Sequence, residues 1–110
     1  EISMVGAPEQ ELTRRKVPYE AGTARYREIA RGQILGDDSG LLKMLVHRED
    51  RRLLGVHIVG TGATELIHIG QAVLGLPGGL DYFLTTAMNY ATLAECYEGA
   101  GLDAFNKLSA

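Results

Sequence analysis

Leu41-Leu42-Lys43-Met44-Leu45-Val46-His47 and Leu53-Leu54-Gly55-Val56-His57-Ile58-Val59 are the two runs that decide the fold. Both are rich in branched aliphatic residues, and only the charged stretch Arg48-Glu49-Asp50-Arg51-Arg52 separates them. Short β-rich runs joined by a polar turn of this length form an antiparallel hairpin. Gly36-Asp37-Asp38-Ser39-Gly40 is a dense turn signal just before it. Further upstream, Tyr19 to Tyr26 reads as a strand, while Arg27 to Leu35 carries no decisive pattern. Glu1 to Gly6 alternates apolar and polar residues as a short strand does. Between these two strands a helix is expected from Pro8, with Glu9, Gln10 and Glu11 in its first turn and Arg14, Arg15 and Lys16 in its last. That charge order suits the helix dipole. Val17-Pro18 then ends it, because proline disfavours helical geometry in the residue before it.

Downstream of the hairpin the pattern turns helical. Ala63 to Leu74 sets Leu66, Ile69, Gly70 and Val73 on one face at spacings of three and four. Gly75 and Pro77-Gly78-Gly79 stop it, a short helix over Asp81 to Met88 follows, and Asn89-Tyr90-Ala91 makes a break. The last helix runs from about Thr92 to Leu108 with Leu93, Tyr97, Ala100, Ala104 and Leu108 along one stripe. The expected architecture is α+β: a small antiparallel sheet of three to four strands in a meander, flanked by helices. No repeat or long linker divides residues 1–110, so a single domain is expected.

Composition sets outer bounds. The chain has 110 residues, of which 45% are hydrophobic and 23% charged, enough apolar matter for a core and against disorder. Net charge is −3 and the basic residues cluster only at Arg14-Arg15-Lys16 and Arg51-Arg52. Nucleic-acid binding calls for a concentrated basic face, so these clusters read as a solvated helix end and a hairpin tip. No apolar run approaches the roughly 20 residues that span a bilayer, and no secretory signal opens the chain. Cys96 stands alone, which excludes an internal disulfide and fits a reducing cytoplasm. The start at Glu1, in what reads as a strand already under way, is most simply explained by a piece of a longer chain.

Three motifs invite functional readings. Gly60-Thr61-Gly62-Ala63-Thr64-Glu65 imitates a dinucleotide-binding turn, which offers helix-terminal amides to a pyrophosphate. Glu65 falls where a third small residue is needed, and no parallel strand follows, so an ordinary strand-to-helix turn is expected. Glu65 and His68 share the Glu-x-x-His spacing of di-iron bundles, but no second copy supplies the remaining ligands. His47 and His57 stand on the two hairpin strands and could approach each other, yet lack a third ligand. No metal site is expected. Thr92 and Glu95 have the spacing of a capping box at the start of the last helix. Glu95 either does no more than cap, or projects with Tyr90 toward a partner's site.

Here the chain resembles a known family. Glu1-Ile2-Ser3-Met4-Val5-Gly6 is similar to the opening strand of the C-terminal dimerisation domain of the pyridine nucleotide-disulfide oxidoreductases. Leu54 to Gly60 and Ala63-Thr64-Glu65-Leu66-Ile67 resemble that domain's hairpin and following helix. Ala24-Arg25-Tyr26-Arg27-Glu28, Ala30-Arg31-Gly32-Gln33, Asn89 to Tyr97 and Ala104-Phe105-Asn106-Lys107-Leu108 resemble the soluble pyridine nucleotide transhydrogenase branch. The likeness runs almost from end to end.

The resemblance implies a cytoplasmic homodimer whose parent enzyme binds FAD and moves hydride between NADPH and NAD. This domain would supply the dimer interface; the stripe of Leu66, Ile69, Gly70 and Val73 on the Ala63 to Leu74 helix is expected to make its contacts, although the same stripe could be ordinary core. By itself it would be inactive and hold no flavin, the FAD- and NAD-binding domains lying upstream. Lipoamide dehydrogenase relatives read His-Pro-Thr-x-x-Glu in the segment that here carries Tyr90, Ala91, Thr92 and Glu95. Their His is the acid–base catalyst beside the other subunit's flavin and redox disulfide, and their Glu orients it. A phenol titrating near 10 does not replace an imidazole near 6.5 as a general base at neutral pH, so thiol–disulfide chemistry is not expected. Tyr90 and Glu95 would instead stand near the partner's flavin. Ala91, where proline is usual, is expected to loosen the helix entry. The alternatives are the interface domain of a lipoamide dehydrogenase-like disulfide reductase, and a free-standing dimerisation module.

Overall fold

A computed structural model describes residues 1–86 and 91–109. The hairpin falls on the runs that announce it: β3 spans Leu41–His47 and β4 spans Leu53–Val59, paired antiparallel. β1 (Ile2–Gly6) and β2 (Tyr19–Arg25) complete a four-stranded antiparallel sheet in the order β1-β4-β3-β2. The expected meander therefore holds for β2, β3 and β4, whereas β1 leaves it and pairs beyond β4. Helix α1 (Glu9–Arg14) lies between β1 and β2, and a connection through a helix need not join neighbouring strands. α1 ends sooner than its basic run suggests. Arg15 caps it, and Lys16 takes a left-handed φ of 59° outside the helix.

One face of the sheet makes the core. Register aligns Gly22, Met44 and Val56 in one row and Ala24, Leu42 and Ile58 in the next, and all are buried. Alternation turns all six to the same side. Over that side lie α3 (Ala63–Val73), α4 (Gly79–Thr85) and α5 (Glu95–Ser109). Ala100 and Ala104 of the predicted stripe meet β2 at Gly22, where a Cβ would stand 2.1 Å from the Ala100 carbonyl oxygen. α3 crosses β4 as closely: a Cβ on Gly70 would lie 2.7 Å from a methyl of Val56. The three helices join at Tyr97, whose ring stacks on Phe83 at 5.0 Å.

The other face is only partly covered. α1 is held there by Glu9, whose carboxylate accepts from Lys43 at 2.5 Å and from the Tyr19 hydroxyl at 3.1 Å. Leu12 and Leu45 are buried. The edge strand β2 is screened by side chains. The Thr23 amide donates to Asp103, the Arg25 amide to Glu28, and Lys107 donates to the Ala21 carbonyl. Occupied edge groups cannot template another strand.

The segment without a clear pattern forms a 3-10 turn over Tyr26–Glu28 and the short helix α2 (Ala30–Leu35), which Gly36 ends at a φ of 74°. Tyr26 is the anchor that periodicity missed. Its ring fills the space that side chains on Gly40 and Gly60 would occupy, and its hydroxyl donates to the Thr61 carbonyl at 2.8 Å.

Candidate functional site

The strand-to-helix turn after β4 and the entry to α5 lie side by side. Leu93 approaches to 3.4 Å of where a Cβ on Gly62 would stand. Gly60 and Gly62 take φ values of 141° and 75°, which favour glycine. The turn's amides are already engaged. The carboxylate of Glu1 accepts from the Gly62 amide at 3.2 Å, the Thr64 amide at 3.1 Å and the Thr64 hydroxyl at 2.8 Å. Asp37 accepts from the Thr61 amide at 3.1 Å and from the Ser39 and Gly40 amides. An acidic side chain thus occupies the position where a bound phosphate would meet the helix N-terminus. The glycine turn does not fit a dinucleotide while Glu1 holds it, which is a stronger objection than the charge of Glu65.

These contacts carry a pH dependence. Hydrogen bonds from Thr64 and Gly62 hold Glu1 below the usual carboxylate range, and those led by the Thr61 amide bring Asp37 down to about 2. A carboxyl whose folded pKa is lowered stabilises the fold above its unfolded pKa and loses that contribution as pH falls through the folded value. Stability should therefore decline between the ordinary carboxyl range near 4 and about 2. Asp37→Asn should lower the thermal midpoint at pH 7 and flatten the decline below pH 4. Thermal melts of both proteins across pH 2–7 check this, and parallel curves would show that Asp37 contributes nothing.

At the α5 entry the capping box differs from expectation. The Thr92 hydroxyl accepts from the Ala94 amide at 3.2 Å, and Glu95 reaches past Thr92 to accept from the Ala91 amide at 2.9 Å. Ala91 has a φ of 65°. Proline can adopt neither this φ nor the role of donor, so alanine at this position permits an entry that proline would not. Glu95 is half-buried and is tied to the backbone here. Tyr90 lies outside the described residues.

Cys96, one residue further on, is fully buried. Burial first, and then the charges of Glu28 and Glu95, push its thiol up to about 12, which keeps it protonated and unreactive at neutral pH. Of the α3 residues expected at a subunit contact, Leu66 and Gly70 are buried within this domain's own core. Ile69 and Val73 pack against that core and retain part of their surface. His68 is exposed and pairs with Gln71 at 2.9 Å. His57 pairs in register with Lys43, not with His47, so the two hairpin histidines lie apart. Among the described residues, no three His, Cys, Asp or Glu side chains gather as a metal site, and no helix is long and apolar enough to cross a membrane. Sequence reasoning missed Glu1, Asp37 and Tyr26. Only Asp37 had a local signal, its place in a turn-forming stretch.

A four-stranded antiparallel sheet carrying three helices on one face makes this an α+β domain. The chain belongs to the dimerisation domain family of the pyridine nucleotide-disulphide oxidoreductases, which matches residues 1–100. Along all of its 110 residues it is 57% identical to a soluble pyridine nucleotide transhydrogenase of Mycobacterium tuberculosis, covering 24% of that protein. A transhydrogenase of Hahella chejuensis is 50% identical over 98% of this chain and 24% of its own length. The chain therefore spans about a quarter of the curated relatives it matches. The HOCl-induced flavoprotein disulfide reductase of Escherichia coli superposes with a TM-score of 0.84 at 22% identity, covering 92% of this chain and 23% of that one. LpdA of M. tuberculosis gives 0.84 at 21% identity, covering 92% and 22%.

Proposed function

We propose that residues 1–110 are the C-terminal dimerisation domain of a cytoplasmic, FAD-dependent transhydrogenase that moves hydride between NADPH and NAD. The observation that carries this reading is the 57% identity to soluble transhydrogenases over the whole chain. The FAD- and NAD(P)-binding parts would belong to the remainder of the protein, since Glu1 fills the glycine turn of this one. Bound flavin would accept and return the hydride. What these residues would contribute is a homodimer interface and a fixed wall near the partner's flavin.

Within that reading the α3 residues divide the work. Ile69 and Val73 would meet the partner subunit, while Leu66 and Gly70 hold α3 on the sheet from beneath. Glu95 would be a positioning residue, through its carboxylate's hold on the Ala91 amide at the entry to α5. Tyr90 would face the flavin as a neutral hydrogen-bonding phenol, without a proton-shuttling role.

The test uses the full-length protein. Turnover of NADPH with a thionicotinamide analogue of NAD should be readily measured, and Tyr90→Phe should lower kcat about tenfold, the size of one lost hydrogen bond of about 1.4 kcal/mol. Its dimer mass should not change. Unchanged turnover and flavin fluorescence would remove Tyr90 from the site. A wild-type enzyme that reduces disulfides and ignores the NAD analogue would overturn the transhydrogenase reading in favour of a lipoamide dehydrogenase-like reductase.

A further inference from the structure

Tyr97 is fully buried on α5, and its phenol oxygen is embedded in α3. It donates to the Leu66 carbonyl at 2.6 Å and accepts from the Gly70 amide at 3.0 Å, two groups that an undisturbed α-helix pairs with each other. Glycine at 70 keeps that approach open, since a Cβ there would stand 3.1 Å from the same oxygen. An apolar ring at 97 could stack on Phe83 just as well, so filling the core does not call for the hydroxyl. What the hydroxyl adds is direction. A donor and an acceptor fixed on one turn of α3 set where α5 stands, which apolar contact such as that between Leu93 and Gly62 does not.

The hold on that hydroxyl passes directly to the α5 entry. The Tyr97 amide donates to the Ala94 carbonyl at 3.0 Å, the Cys96 amide to that of Leu93 at 3.0 Å and the Glu95 amide to that of Thr92 at 3.2 Å. Glu95 in turn accepts from the Ala91 amide at 2.9 Å. Residues 91–97 are therefore one hydrogen-bonded turn, and α3 sets its place. We propose that Tyr97 is a positioning residue for hydride transfer, registering the entry to α5 against α3. The inference rests on the transhydrogenase reading and deepens it. In that reading the flavin beside this entry belongs to the partner subunit, and α3 is the helix whose Ile69 and Val73 meet that partner. A segment that works across a subunit boundary must be placed against the element that touches the other subunit. Tyr97 is a buried polar tie between the two.

Tyr97→Phe in the full-length, flavin-bound protein, assayed well below its melting midpoint, tests the assignment. The Ala91 amide should exchange roughly tenfold faster than in wild type. Turnover should show kcat lowered about threefold with KM for NADPH unchanged. Leu12→Ala trims a buried side chain of α1 on the other face of the sheet and controls for lost stability. It should leave both readouts at wild-type values. Combined with Glu95→Gln, Tyr97→Phe should slow turnover no further than Glu95→Gln alone, because the tie acts through that carboxylate. Wild-type rates in Tyr97→Phe, equal losses in Leu12→Ala, or multiplied losses in the double variant would each overturn the proposal. Should Tyr97→Phe fail to retain flavin, exchange of the wild-type protein in low urea replaces it. The Ala91 and Gly70 amides should then open with the same urea dependence, and separate dependences overturn the tie. Wild-type turnover is scored first. Its absence removes the transhydrogenase reading, whereas turnover that is present and indifferent to Tyr97→Phe removes this inference alone.

Discussion

Gly22→Ala is expected to be among the most damaging single-methyl changes in the domain. The added Cβ would stand 2.1 Å from the Ala100 carbonyl oxygen, 2.7 Å from the Ala104 Cβ and 2.8 Å from the Ala104 amide nitrogen. Two of these three atoms are backbone, so no side-chain rotation relieves the clash, and α5 as a whole must lift from β2. Overpacking a core costs about 1–3 kcal/mol when side chains can adjust. A backbone obstacle places Gly22→Ala at ~3 kcal/mol or more, against the 5–15 kcal/mol that typically holds a domain folded. Gly36→Ala is the matched control. It has nothing within 4 Å of its Cβ, but a φ of 74°, so it should cost about 1 kcal/mol through backbone strain alone. Thermal and urea unfolding of both variants decides the matter. If Gly22→Ala is no worse than Gly36→Ala, α5 does not rest on β2 this closely.

That contact also shows what the sequence disclosed and what it withheld. The hairpin was legible because branched aliphatic runs on either side of a charged turn admit one local solution. The α5 stripe of Tyr97, Ala100 and Ala104 was legible by its period, and all three residues are buried. Their contact with Gly22 was not, because it joins positions far apart in the chain through the absence of a side chain. The same holds for β1, whose alternation marks a strand but does not say that its neighbour is β4. The α3 stripe was half ambiguous in principle. An apolar face seats a helix on its own sheet or on a partner, and Leu66 and Gly70 turn to the sheet. At the candidate site, Thr92 and Glu95 were recognised as capping residues. Glu95 bonds the Ala91 amide rather than that of Thr92, and Ala91 turns left-handed there, a conformation that no periodicity signals. Glu1 read as the first residue of a strand, and only the folded chain brings it to the start of α3.

Tyr97 should prove the second most sensitive position, and two substitutions separate its contributions. The hydroxyl donates to the Leu66 carbonyl at 2.6 Å and accepts from the Gly70 amide at 3.0 Å, both buried. In an undisturbed α-helix those two groups bond to each other, four residues apart. The phenol oxygen therefore sits within the hydrogen-bonding ladder of α3 and ties it to α5. Burial pushes this phenol up to about 12, so it remains a neutral donor throughout the physiological range. Tyr97→Phe removes only the oxygen. The helix can partly close its own ladder afterwards, which limits the cost to about 1–2 kcal/mol, below the full penalty for two stranded polar groups. Tyr97→Ala also forfeits the ring that stacks on Phe83 at 5.0 Å and leaves a cavity among α3, α4 and α5, for about 3–5 kcal/mol. Hydrogen exchange distinguishes the two effects. The Gly70 amide should lose protection selectively in Tyr97→Phe, whereas Tyr97→Ala should loosen all three helices together. A Tyr97→Phe protein with wild-type stability and wild-type protection at Gly70 would show that α3 closes its ladder unaided, leaving the ring as what joins the helices.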